Sequence, residues 1–295
     1  IATIVSVQFS GAIYACQCVP TTLADWLGGT PMMLSMMVIL LAHEFGHYFA
    51  GRIHKVAVTL PYFIPLPVIS PVGTLGAFIQ LRSPFKTKRQ LFDIGVAGPL
   101  GGLIFAIPLT ILGVLNSPLH RLTRDGASLL EGNSILYMAI KYLVHGQILP
   151  SFDQYADLPV WREYLLVLAG IIPPGSGSDI LIGPVAFAAW FGLFVTAMNL
   201  LPVGQLDGGH IIYCLLGDKA RWLGIGLVGL MVAAGIFWWS GWLMWAFLVF
   251  FVIGTGHPPP LNDLVELGPG RKILAYVMIA LIIILFMPNP LQPLI

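Results

Sequence analysis

Mostly apolar stretches, separated by short polar links, make up the greater part of the 295-residue chain. The stretches lie at residues 1–19, 31–52, 91–115, 180–201, 221–237, 241–253 and 273–287. An apolar helix of about 20 residues is roughly 30 Å long, which matches the hydrocarbon core of a bilayer. The pattern therefore predicts a polytopic α-helical membrane protein with about six to seven transmembrane helices. One domain, 1–295, is expected, with a core at 31–216 and accessory helices at 217–295.

One segment, 54–90, breaks the helical pattern. Residues 56–60 favour a strand, and four prolines between positions 61 and 71 exclude a continuous helix. A glycine-led apolar run at 73–81 predicts a second strand, so a small β-hairpin or sheet is expected after the second apolar stretch. Because an open strand edge can pair with an extended peptide, Gly73, Gly76 and Ala77 are candidate substrate-binding residues. A surface hairpin without a binding role fits the same pattern.

The longest polar segment, 116–177, carries charges of both signs. Within it, residues 135–144 are amphipathic, which predicts a small extramembrane subdomain or a surface helix. The apolar stretch before it contains glycines at positions 95, 98, 101 and 102. Small residues at near four-residue spacing allow membrane helices to approach closely, so 91–115 is expected to pack tightly against a neighbour.

Composition and charge narrow the class of protein. The chain is 57% hydrophobic and 9% charged, whereas soluble proteins contain about 25% charged residues. The net charge of +1 gives no support for nucleic-acid binding. Six Lys and Arg residues and no acid lie at 52–89, and further basic pairs lie at 219–221 and 271–272. Because cytoplasmic loops are enriched in Lys and Arg, this face is predicted to be cytosolic, in a bacterial plasma membrane or an organellar membrane.

The second apolar stretch contains an H-E-x-x-H motif, formed by His43, Glu44 and His47. Histidines at positions i and i+4 lie on the same face of a helix, so both imidazoles can bind one zinc ion. Glu44 then lies beside the metal, where its carboxylate can take a proton from water. A metal-free histidine pair in a helix bundle is the alternative. Metal binding is favoured because these groups are costly to bury in a bilayer without a partner.

A second polar motif ends the apolar stretch at 180–201. It combines Asn199-x-x-Pro202 with Leu206-Asp207-Gly208-Gly209-His210. Proline and glycines interrupt a helix, which allows an acidic side chain to turn inward at membrane depth. Asp207 is the only carboxylate in the segment 180–217.

A catalytic zinc site needs a third protein ligand besides two histidines. Asp207 is the natural candidate, so His43, His47 and Asp207 are predicted to hold one catalytic Zn²⁺. The alternative role for Asp207 is that of a turn residue, since Asp-Gly is common in turns. His257, in a later polar loop, is interpreted as a loop histidine in preference to a further ligand.

Together, the two motifs resemble those of the site-2 protease family of intramembrane zinc metalloproteases. The resemblance covers about 31–216, and the segments 73–80 and 93–99 also look like family segments. It implies that His43, His47 and Asp207 bind zinc and that Glu44 activates water. It also implies that Asn199 lies near the site and helps to hold the substrate or the oxyanion. The expected reaction is cleavage within or near a transmembrane segment of a membrane-protein substrate, as in regulated intramembrane proteolysis.

Two other classes of function use the same residues. A metal-ion transporter could use the His/His/Asp group as a transit site, but it gives Glu44 no special role. A membrane scaffold could hold a structural zinc, but such sites normally close with four protein ligands, and three are evident. The protease is therefore preferred, with transmembrane proteins and the lipid bilayer as its partners.

Overall fold

The computed structural model describes residues 1–122, 129–171 and 176–293. The helices in these ranges are α1 (Ala2–Cys16), α2 (Leu23–Gly28), α3 (Thr30–Ile53), α4 (Lys88–Leu115), α5 (Ile135–His145), α6 (Val160–Leu168), α7 (Pro184–Asn199), α8 (Asp207–Leu216), α9 (Ala220–Phe237), α10 (Gly241–Phe247) and α11 (Pro269–Leu285). The strands are β1 (Tyr62–Pro65), β2 (Thr74–Phe78), β3 (Leu119–Arg121), β4 (Leu129–Glu131), β5 (Ser151–Phe152), β6 (Gly177–Ile180) and β7 (Leu291–Pro293). The mainly helical class with a small sheet after the H-E-x-x-H helix is confirmed.

Three helical segments are long and apolar enough to cross a membrane: Leu23–Ile53, Lys88–Leu115 and Asp207–Phe237. Side chains on their outer faces, such as Ile104 and Leu230, are apolar and exposed, as expected for contact with lipid. Other apolar helices, including α1 and α7, are shorter. The number of six to seven spans therefore remains a prediction.

Helices α3 and α4 form the centre of the fold, and glycines let their backbones approach. A Cβ atom at Gly101 would lie 2.5 Å from the carbonyl oxygen of Ala42, and one at Gly46 would overlap the backbone of Ala97. Such contacts permit a separation that any larger side chain would prevent. The expectation of tight packing for this glycine-rich stretch is confirmed, and α7 packs against both helices.

The segment after α3 forms a two-stranded antiparallel sheet. Strand β1 pairs with β2, and the bridge between Val58 and Leu81 extends the pairing toward α3. Helix α7 begins at Pro184, later than predicted, because 177–180 forms strand β6. A proline at the first position suits the start of a helix.

The polar segment forms a small subdomain, as far as it lies within the described residues. Strands β3, β6 and β5 make one sheet, and β4 pairs with β7 near the end of the chain. The amphipathic segment is helix α5, whose Lys141 is buried and lies 3.2 Å from the carboxylate of Asp179. The predicted segment 116–177 also includes 123–128 and 172–175, which lie outside the described residues.

An ion-pair network ties the last helix to the central pair. Asp93 on α4 accepts two hydrogen bonds of 2.7 Å from Arg271, at the start of α11, and lies 2.8 Å from Nε2 of His54, just after α3. The network brings the basic junctions near 52–89 and 271–272 to one side of the molecule.

The Arg271–Asp93 pair should contribute measurably to stability. Arg271→Gln removes a bidentate pair within a network, and we expect it to reduce the free energy of unfolding by about 1 kcal/mol, at the upper end for partly exposed pairs. Lys272→Gln is the matched control, because Lys272 pairs with Glu266, which is 82% exposed. Thermal unfolding in detergent measures both, and equal melting temperatures for the two variants would contradict the assignment.

Candidate metal centre

The structure brings together the three predicted ligands. His43 and His47 lie one turn apart on α3, and Asp207 is the first residue of α8. The two Nε2 atoms are 3.2 Å apart, and each lies 3.3 Å from an oxygen of the Asp207 carboxylate. Among the described residues, this is the one group of three or more His, Cys, Asp or Glu side chains arranged to hold a metal.

These separations fit a zinc ion. Ligand atoms that are 2.0–2.2 Å from a tetrahedral zinc are roughly 3.3–3.5 Å from one another. The three observed separations, 3.2, 3.3 and 3.3 Å, are close to these values. Without a cation or an extra proton between them, the lone pairs of two imidazoles and a carboxylate would repel one another. Three ligands would leave one position of the tetrahedron open, as in catalytic zinc sites.

Helix α4 orients His47. Nδ1 of His47 lies 2.7 Å from the carbonyl oxygen of Ile94, which can only accept a hydrogen bond. Nδ1 therefore carries the proton, and the lone pair of Nε2 points to the ligand group. Gly98 makes room for the ring, because a Cβ atom there would overlap the imidazole. A Cβ atom at Gly102 would lie 3.3 Å from Cβ of His43.

A sharp turn between α7 and α8 places Asp207 next to His43 and His47. The chain leaves α7 after Asn199, turns through Pro202, and begins α8 at Asp207. A Cβ atom at Gly208 would overlap the carbonyl group of Leu200, so glycine is required for the tight approach of α8 to the end of α7. The carboxylate also gains from its position at the N-terminus of a helix.

Glu44 is only 5% exposed and faces the same cavity as the three ligands. Ile79, just after β2, lines the same cavity as Glu44. The segment 77–85, which comprises the end of β2 and the residues after it, therefore lines one cavity with Glu44 and the ligand group.

The cavity has a volume of about 890 Å³, enough for several residues of a peptide. Its lining combines the ligand group and Glu44 with a strand segment, the turn before α8 and a proline-rich loop. The residues are His43, Glu44, His47, Ala77–Phe85, Ile94, Asn199, Gln205–Asp207, His210 and His257–Pro259.

The predicted substrate-binding residues occupy different places. Asn199 donates from Nδ2 to Nε2 of His43 across 3.3 Å, and Ala77 lines the cavity. Gly73 (φ +76°) instead packs on α1, where its carbonyl accepts a hydrogen bond from Ser6. Gly76 (φ +113°) donates its N–H to Thr74. Neither Gly73 nor Gly76 borders the cavity, so a substrate-binding role for these two glycines stays a prediction.

Two histidines of the cavity wall were not among the predicted site residues. His210 follows Asp207 by three residues, and His257 was interpreted as a loop histidine. Their rings meet through Nδ1 of His210 and Nε2 of His257, 2.6 Å apart. The proximity of His210 to Asp207 in the sequence was the available signal. The pairing of His210 with His257 joins residues 47 positions apart, and no pattern in the sequence indicates it.

Comparison with known proteins agrees with this site. Residues 31–224 match the model of peptidase family M50, a span that contains the three predicted ligands and Glu44. The chain is 30% identical to the probable chloroplastic zinc metalloprotease EGY1 of Oryza sativa subsp. japonica over 88% of its length and 40% of that relative. The values for EGY1 of Arabidopsis thaliana are 30%, 88% and 42%. EGY2 of Oryza sativa subsp. indica is 26% identical over 86% and 42%. The chain thus spans about two fifths of the length of these relatives.

The fit of His47 against Gly98 predicts how metal binding can be lost without changing a ligand. Gly98→Ala should displace the His47 imidazole and reduce zinc content to well below one equivalent, as measured by plasma mass spectrometry. Gly229→Ala is the matched control, because nothing lies within 4 Å of a Cβ atom there, and it should keep its zinc. Folded Gly98→Ala protein with a full equivalent of zinc would contradict the assigned packing. His47→Ala tests the same ligand without added bulk and should also lose zinc.

Proposed function

The chain belongs to peptidase family M50, and on that premise we propose that it is an intramembrane zinc endopeptidase. The substrates would be membrane proteins, cleaved within or near a transmembrane segment. The observation that carries the proposal is the convergence of His43, His47 and Asp207 beside Glu44 in one cavity between apolar helices. This set contains the ligands and the base that peptide hydrolysis requires, with one position of the metal open.

His43, His47 and Asp207 would hold the zinc. Zinc bound by such ligands provides water with a pKa lowered to about 7 and polarises a carbonyl group. In hydrolysis the water oxygen joins the carbonyl carbon, the C–N bond breaks, and a proton from the water ends on the leaving nitrogen. The buried carboxylate of Glu44 borders the cavity next to His43, which supports its role as the group that accepts this proton and passes it to the amine.

Asn199 is proposed to hold the scissile carbonyl. Its amide nitrogen donates to Nε2 of His43, which is the atom that would bind the metal. With the metal bound, that lone pair is no longer available, and the Asn199 N–H groups are free to donate into the cavity. A donor beside the metal can stabilise the negative charge that develops on the carbonyl oxygen.

A substrate is proposed to bind as an extended strand along the segment after β2. The backbone of Gln80 hydrogen-bonds to Thr59 through both its N–H and its carbonyl group. Since backbone groups of successive residues in a strand point to opposite sides, those of Ile79 and Leu81 face away from β1 and toward the cavity. A substrate helix must unwind before cleavage, and pairing with this edge would replace its lost hydrogen bonds.

Membership in a peptidase family disfavours the metal-ion transporter.

The network around Asp93 joins the basic ends of several helices. This supports a membrane orientation in which the site lies toward the Lys- and Arg-rich face. By the distribution of charge, that face is proposed to be cytosolic, or its organellar equivalent.

The central test compares the protein with its Glu44→Gln variant on a panel of transmembrane peptides in detergent. Glutamine keeps the size of the side chain but cannot take a proton. We therefore expect one equivalent of zinc in both proteins and a loss of about 10²–10⁴-fold in cleavage rate for the variant. If both proteins bind zinc and neither cleaves any peptide of a broad panel, the protease assignment is wrong, and metal flux in vesicles would test the transporter.

Cross-linking tests the proposed strand pairing. In the Glu44→Gln background, Ala77→Cys should form a disulfide with a single-cysteine substrate peptide, because Ala77 lines the cavity. Leu75→Cys is the matched control, since Leu75 is 65% exposed on the same strand but does not line the cavity. Cys16 and Cys18 are replaced by serine in this background, and Cys214 is buried, so native thiols should not interfere. Equal cross-linking at both positions would contradict pairing at this edge.

A further inference from the structure

His210 and His257 form a hydrogen-bonded pair on the wall of the metal cavity. His210 lies on α8, and the ring of His257 stacks on Tyr213 with 4.5 Å between ring centres. Neither histidine belongs to the three-residue ligand group. The mechanism proposed above uses neither of them, although both border the space that a substrate would enter.

The bonds of this pair determine which nitrogen atoms carry protons. Nδ1 of His257 lies 2.8 Å from the carbonyl oxygen of Pro258, which can only accept a hydrogen bond, so this nitrogen carries a proton. Burial lowers the pKa of His257, which favours the neutral ring, and its Nε2 is then an acceptor. Nδ1 of His210 must therefore donate across the 2.6 Å contact. In the neutral form of His210, Nε2 then has a lone pair and no proton.

That lone pair is available to a ligand in the cavity. In the described part of the chain, Nε2 of His210 has no hydrogen-bond partner, and it is not among the buried polar atoms that lack one. The ring centre of His210 lies 6.0 Å from that of Phe85, the last residue of the segment 77–85 that lines the cavity. His210 therefore presents a fixed acceptor close to the path proposed for the substrate.

An extended peptide has two edges, and a strand pairs with only one of them. The backbone groups on the other edge would lose hydration inside the cavity and need partners from the opposite wall. We propose that His210, held in its tautomer by His257, accepts a hydrogen bond from a backbone N–H on the substrate edge that faces away from β2. The inference rests on the proposed peptidase function, and it makes His210 a substrate-binding residue and His257 a positioning residue.

Peptide binding tests this role separately from cleavage. In the Glu44→Gln background, affinity for a fluorescent transmembrane peptide is compared before and after His210→Asn. Asparagine can keep a donor near the position of Nδ1 but has nothing at Nε2, so we expect binding about tenfold weaker, as for one lost hydrogen bond. His210→Gln places a polar group near the position of Nε2 and should restore part of the affinity. His120→Asn, at an exposed position on β3, is the matched control and should bind as the parent does.

Kinetics in proteins that retain Glu44 provide a second test. A contact made equally in the bound complex and the transition state affects KM and leaves kcat nearly unchanged, so His210→Asn should raise KM about tenfold. His257→Phe keeps a ring to stack on Tyr213 but removes the nitrogen that accepts from His210. It leaves the sequence of α8 unaltered and should also raise KM. All variants should retain a full equivalent of zinc.

The outcomes separate this inference from the proposed function. If the protein cleaves peptides and His210→Asn matches it in affinity and KM, the inference fails while the peptidase assignment stands. A fall in zinc content for His210→Asn would also overturn it, because His210 would then be a metal ligand. If the unaltered protein cleaves nothing and the Glu44→Gln protein binds no peptide, the proposed function fails and the inference fails with it.

Discussion

The close approach of α3 and α4 is the constraint on which the candidate site depends. The backbone of Ala42 packs against Gly101 at a distance that a Cβ atom would prevent, and the ring of His47 packs in the same way against Gly98. The same approach brings the carbonyl of Ile94 to His47, where it fixes the protonated nitrogen and turns the other toward the ligand group. Backbone packing between two apolar helices thus sets the orientation of a predicted metal ligand.

The third predicted ligand, Asp207, follows a break in the helical chain between α7 and α8. The turn between α7 and α8 exposes backbone groups that would be costly in lipid, but here they border a cavity within the protein. Asp207 begins the new helix, and His210 follows one turn later. On the other side, residues 77–85, which include Ile79, line the same cavity as Glu44. Three kinds of backbone therefore meet at the cavity: a continuous helix, a broken helix and a strand.

The sequence allowed prediction of those parts of the site that depend on local spacing. His43 and His47 share one face of any α-helix, and Asp207 stood out as a carboxylate within a long apolar segment. Partners distant in the chain could not be predicted, because no local pattern indicates them: His257 meets His210 across 47 residues, and Arg271 meets Asp93 across 178. The number of spans is also hard to predict, since short apolar helices such as α7 pack inside the fold without reaching bilayer length.

The central claim is that two helical histidines and one aspartate hold a single zinc with an open position. X-ray absorption spectroscopy of the zinc-loaded protein in detergent measures this directly. The account predicts four-coordinate zinc with only nitrogen and oxygen neighbours at about 2.0–2.2 Å, including two imidazoles. A sulfur neighbour near 2.3 Å, a third imidazole, or a shell of six oxygen atoms would contradict it.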